Sequence, residues 1–373
     1  MIPLFQRRAL EALVARGLGR DVAEERLKGA TPRVLKELGA DLRPPLPAPR
    51  PPAPPAAARA RRTGPGVMTF RDIRTGTLTG GRTYAEHSAK VGGEEATAQQ
   101  LAVRLNELCG RGQFPDLTAI SKVLAKPTGQ SVVFQGVYRG RGVAVKVFRS
   151  AEEAATELAF LGKCVHANIM VKLCAFEYNG RTMLVMPLAR GDLDQAIADR
   201  GMLDHGTAAA YAAQAADVLS FLHVRSRVAH LDLKPQNIFL AADDGRLLLA
   251  DFGCSMDITG SSDEIVGRGT PFFMAPEVWA DRQRGDRSKV DVYAFGCLLW
   301  HMLAGQPPFQ REMEDEGWDL SRLAAVVLRE RRSPAAMLDA HWPSALRRLI
   351  QTCCAHDAAT RPSMAQVLRE LRG

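Results

Sequence analysis

Apolar and polar positions follow two rhythms along this chain, and the change of rhythm divides it. From about residue 117, short β-type runs come first, over 131–138, 142–148, 173–178 and 182–187. One stretch of helical period, 151–161, interrupts them. Beyond residue 200 the helical period takes over, at 207–224, 290–304, 320–331, 343–353 and 364–371. Strands followed by helices predict an α+β fold in two lobes, a β-rich N-lobe over 117–187 and a larger helical C-lobe over 188–373.

The chain before this body reads differently. Leu10, Leu13, Val14, Leu18, Val22 and Leu27 fall at helical spacing, so residues 1–43 read as an extension that is helical or partly disordered. Residues 44–55 hold eight prolines in twelve positions, a composition that favours extended polyproline II over helix or sheet. With the Gly- and Thr-rich run that follows, 44–92 reads as a linker, and 93–116 as a helix able to pack on the body. The proline tract is foremost a stiff spacer. As a ligand for a proline-motif-binding partner it lacks the strict spacing, because Arg43 and Arg50 stand out of register.

Candidate chemistry sharpens the picture. His230-Leu231-Asp232-Leu233-Lys234-Pro235-Gln236-Asn237 is followed nineteen residues after Asp232 by Asp251-Phe252-Gly253. Ala275-Pro276-Glu277 comes twenty-four residues after Asp251, and Val143-Ala144-Val145-Lys146 stands upstream. In this order the four segments resemble the eukaryotic protein kinase superfamily over roughly residues 117–372. The resemblance implies the bilobal protein-kinase fold and phosphoryl transfer from ATP with Mg²⁺. Lys234 and Gly269-Thr270-Pro271 resemble the serine/threonine branch, and Asp251-Phe252-Gly253-Cys254-Ser255 is similar to the Mos family.

The resemblance also implies roles for single residues. Lys146 would meet the α- and β-phosphates, with Glu157 as the carboxylate that fixes it. Asp232 would orient the acceptor hydroxyl, Lys234 would sit by the transferred phosphate, and Thr270 would bond both. Asn237 and Asp251 would hold Mg²⁺, which demands hard oxygen ligands. Val133, Ala144, Met186, Phe239 and the backbone of Pro187 and Ala189 would contact the nucleotide, with Asp192 toward the ribose. Asp291 would anchor the catalytic-loop backbone, and Glu277 would pair with Arg361.

Two departures matter. With Val133 as the valine of the glycine-rich loop, the glycine positions hold Lys126, Thr128 and Ser131, and Gly129 is out of register. Glycine lets backbone amides approach phosphates closely, so weaker nucleotide grip is expected. Leu231 replaces the arginine that in relatives meets a phosphorylated activation loop. Phosphorylation at Thr259, Ser261 or Ser262 is therefore not expected to order the site through that contact. The rival reading is a pseudokinase, a binding or scaffold module with a decayed nucleotide loop.

Charge changes the picture little. The net charge of +8 is concentrated in residues 1–66, where 13 Lys/Arg against 6 Asp/Glu give +7; the remainder, 36 against 35, gives +1. A near-neutral body argues against nucleic-acid binding. No apolar run reaches the about 18 residues of a membrane span, so no membrane partner is expected. Seven scattered cysteines with no signal-like N-terminus point to a cytoplasmic protein, and Arg59, Arg61 and Arg62 offer a nuclear-import cluster. Cys353-Cys354 read as buried small hydrophobes, and the chain as a monomer.

Overall fold

The computed structural model describes residues 84–124, 131–258, 269–280 and 286–373, with backbone alone over 84–96. The early helices, the proline tract and the basic cluster lie outside the described residues. So do Lys126, Thr128 and Gly129, and the three candidate phosphosites. The described chain forms two units. The first holds 84–124, 131–191 and 239–253; the second holds 192–238, 254–258, 269–280 and 286–373.

In the first unit five strands form one antiparallel sheet in the order β1-β2-β3-β5-β4. They are β1 (Leu117–Val123), β2 (Ser131–Tyr138), β3 (Arg141–Phe148), β4 (Cys174–Tyr178) and β5 (Arg181–Pro187). Successive side chains alternate between faces. Val132, Phe134, Val143, Val145, Val147, Met183 and Val185 therefore enter one buried cluster. Val133, Ala144, Lys146 and Met186 occupy the other parity, with Val133 opposite Lys146 and Ala144 opposite Met186.

Helix α1 (Tyr84–Gly110) covers the clustered face with Ala98, Ala102, Leu105 and Cys109, a stripe at helical spacing. It begins inside the stretch that composition reads as linker and continues through Gly92 and Gly93. A glycine pair costs a helix about 1 kcal/mol per residue, and tertiary burial of the later stripe offsets that. Strand β1 was not predicted, because an irregular edge strand with little alternation carries a weak pattern.

Helix α2 (Ala151–Lys163) starts at Ser150, whose hydroxyl accepts from the Glu153 amide at 3.2 Å. It buries Ala154, Glu157 and Leu161. Residues 239–253 belong to this unit rather than to the helical part, as the division at 187/188 had implied. The tie is backbone: Leu249 N donates to Asn168 O, Met170 N to Leu249 O, and Arg190 N to Leu240 O.

The second unit is helical: α3 (Leu193–Ala198), α4 (His205–Phe221), α5 (Pro276–Trp279), α6 (Ser288–Ala304), α7 (Gln310–Glu316), α8 (Leu320–Leu328), α9 (Ser344–Cys353) and α10 (Met364–Arg372). Helix α6 is buried nearly all round and packs against α4 and α9, while α10 packs on α4. It stops at Gly305, left-handed at φ 78°, where a Cβ would collide with the Gly201 carbonyl. Cys353 and Cys354 are fully buried, as the hydrophobe reading expects.

Candidate active site

The first unit gathers one set of the expected residues. Lys146, late in β3, donates to Glu157 of α2 at 2.6 Å and to Asp251 at 3.1 Å. Glu157 is 2% exposed, so its charge is removed from water and needs this partner. Glu152 and Glu153, two further carboxylates of the helix, are in its first turn and unlinked to the lysine. Burial opposes the charge on Lys146, but the carboxylates of Asp251 and Glu157 outweigh it and hold its pKa above the usual lysine value. Burial raises the Glu157 pKa, with Lys146 opposing.

Asp251 follows the buried strand Leu247–Leu249 and has φ 63°, a left-handed backbone that few non-glycine residues adopt. Its side chain is 41% exposed while one oxygen holds Lys146. The second partner of Lys146 was missed by sequence reasoning, since residues 105 positions apart leave no local signal. Met186, Ala189 and Phe239 pack on one apolar cluster with Met170, Ala241, Leu248 and Ala250. With Val133 and Ala144 they place the expected nucleotide-contacting apolar groups within one unit.

The second unit gathers the other set. Asp232 Oδ2 accepts from Lys234 Nζ at 2.7 Å and from Asn237 Nδ2 at 3.0 Å. Asp232 Oδ1 accepts from Thr270 Oγ1 at 3.0 Å, and Thr270 Oγ1 accepts from Lys234 Nζ at 2.9 Å. Asn237 Nδ2 also reaches the Asp232 carbonyl at 2.8 Å. The amide is thereby oriented through its nitrogen, so its oxygen, the atom type a hard cation takes, points to the opposite side of the group. Asp192 caps α3, accepting from Gln195 N at 2.8 Å, and burial raises its pKa.

This loop is held from below. Asp291, 0% exposed, accepts from His230 N and Leu231 N at 2.8 Å each, and its Oδ2 lies 2.8 Å from His223 Nε2. Leu231 sits at φ 65°, so the two backbone bonds keep an apolar residue in a conformation it would not choose. The His223 contact was not foreseen. It arises in the π-helical turn Leu222–Ser226 that ends α4, where the sequence shows only a continuing helix. Arg361 donates to both Glu277 oxygens, at 2.7 and 2.8 Å, and to the carbonyls of Ala355, Lys289 and His356.

The family model of the protein kinase domain matches residues 105–371. The chain belongs to that family. Among curated relatives of this kinase domain, the dual specificity protein kinase shkD of Dictyostelium discoideum is 31% identical over 64% of this chain and 32% of its own length. The mouse serine/threonine-protein kinase ULK3 is 36% identical over 57% of this chain and 44% of its own length. A putative mitogen-activated protein kinase kinase kinase 7-like protein of Drosophila melanogaster is 27% identical over 68% of this chain and 65% of its own length. The chain thus spans less than half the length of the first two relatives. ATP and a divalent metal ion go with the family in general, and the likeness is to its serine/threonine branch.

Proposed function

We propose that this chain is an ATP-dependent serine/threonine protein kinase, transferring the γ-phosphoryl group of Mg-ATP to hydroxyls of protein substrates. The observation that carries the reading is the mutual bonding of Asp232, Lys234, Asn237 and Thr270. Phosphoryl transfer asks little covalent chemistry of a protein and much positioning. Asp232 is a carboxylate whose orientation is fixed by three donors, suited to receive the proton of an acceptor hydroxyl. Lys234 places a positive charge beside it, where charge on the moving phosphoryl is neutralised. Lys146, held by Glu157, is the cation for the non-transferred phosphates.

Asn237 and Asp251 are the residues that would hold Mg²⁺, which when bound neutralises phosphate charge. Their donor set fits: an amide oxygen and a half-exposed carboxylate. All four groups whose loss marks a scaffold reading are present: Lys146, Asp232, Asn237 and Asp251.

The test is phosphotransfer to a generic protein substrate, followed by phosphoamino-acid analysis. Phosphoserine and phosphothreonine are expected from the native chain, and none from Lys146→Met or Asp232→Asn, both folded. Product phosphotyrosine alone, or full activity in both variants, would overturn the assignment.

A further inference from the structure

The kinase-domain match begins at residue 105, yet Ala98 and Ala102, ahead of it, are each 2% exposed in the same cluster as β2, β3 and β5. Two residues of α1 that precede the matched domain are thus part of the core. The turn after it carries Phe114, whose ring lies 5.5 Å from Phe176 and 6.1 Å from Tyr178, both on β4. At the other edge of the sheet, Asn106 Oδ1 accepts from the Ile120 amide of β1 at 3.0 Å. The helix and its turn therefore reach both edge strands on the face opposite Lys146.

Strand β1 needs such a partner. Among the described residues it pairs only with β2, and its register shifts twice, between Leu117 and Ala119 and between Ile120 and Val123. Across these irregularities the hydroxyls of Thr118 and Ser121 donate to the carbonyls of Val137 and Gln135, at 3.3 Å each. Gly136 permits the close approach, since a Cβ there would stand 2.8 Å from Ala119 O. A short, bulged edge strand is weakly specified by its ladder alone, and a one-residue slip reverses every side chain. The Ile120 amide donates to a side chain of α1, Asn106, within this irregular stretch.

The far end of β1 reaches the nucleotide side. Leu124 N donates to Val133 O at 2.8 Å, and Val133 stands opposite Lys146 in the β2–β3 ladder.

We infer that Asn106 is a positioning residue for nucleotide binding: from α1 it pins the register of β1, and through Leu124 it sets the backbone that carries Val133. The inference rests on the proposed kinase reading, in which Val133 contacts ATP. It is tested on the full chain by titrating Mg-ATP calorimetrically into the native protein, Asn106→Ala and Asn106→Asp, the last of which keeps an acceptor at Oδ1. One hydrogen bond of this kind is worth about 2- to 10-fold in an equilibrium, so Asn106→Ala should bind Mg-ATP weaker by about that factor.

The Asp variant should bind like the native chain. KM for a peptide substrate should not move in either. Native affinity in Asn106→Ala, with or without a lowered melting temperature, overturns the inference and leaves Asn106 a structural residue. Equal weakening in both variants overturns it as well. Binding without transfer by the native chain removes the kinase reading and keeps the Asn106 comparison decisive. No binding at all by the native chain removes both.

Discussion

Leu231 shows how one residue can fix a mode of control. It is 4% exposed, left-handed, and held through its amide by Asp291. An apolar side chain there offers no cation for a phosphate. Phosphatase treatment of the purified chain should therefore leave most transfer activity, and a hundred-fold loss, about 2.7 kcal/mol, would show that a phosphosite acts by another route. His301 on α6 is a second informative residue. It is buried against Phe273, its Nδ1 has no partner, and Asp194 Oδ1 lies 3.9 Å from its Nε2. Burial outweighs that half-exposed carboxylate and pushes the His301 pKa down to about 4, below the ordinary 6.5. The unfolded chain then binds more protons between these values, so stability is highest above pH 6.5 and falls as the pH drops toward 4. The loss approaches about 3 kcal/mol, and His301→Phe should flatten that limb in urea melts taken across the range. An unchanged slope would contradict the account.

At the scale of elements, the short segments between helices carry the ties. Glu277 lies in the first turn of α5, and Arg361 precedes α10; their two-pronged pair links segments 84 positions apart. The Arg361 side chain is fully buried. Glu277→Ala leaves that charge alone and should cost about 3–5 kcal/mol in chemical denaturation, whereas a change under about 1 kcal/mol would mean that the three backbone carbonyls suffice. This pair, the Asp291 anchor and the Thr270 bonds were legible because side-chain chemistry sits in short, specific motifs. The long helices were legible too: the predicted 290–304 matches Ser288–Ala304, and 364–371 matches Met364–Arg372. Strand β1 and α3 were not, because a bulged edge strand and a six-residue helix hold too few residues to show a period. The start of α1 was hidden by Gly92 and Gly93, where propensity speaks against a helix that packing supports further along.

For the whole molecule, the two sets of chemical groups divide between two units. Lys146, Glu157 and Asp251 belong to the first, and Asp232, Lys234, Asn237 and Thr270 to the second. The sequence showed both sets through motif order, while the assignment of 239–253 to the first unit depends on backbone bonds such as Leu249 N to Asn168 O, which no residue pattern encodes. A kinase requires that both sets serve one nucleotide, and Asp251 is the residue that tests this. It is bonded to Lys146 within the first set, and the proposed kinase reading makes it a Mg²⁺ ligand. The measurement that bears most directly on the central claim is transfer from γ-labelled ATP to a generic protein substrate with Mg²⁺, native chain beside Asp251→Asn. Label in the substrate with the native chain alone is the predicted result. Equal label from both proteins, or none from a folded native chain, would contradict it.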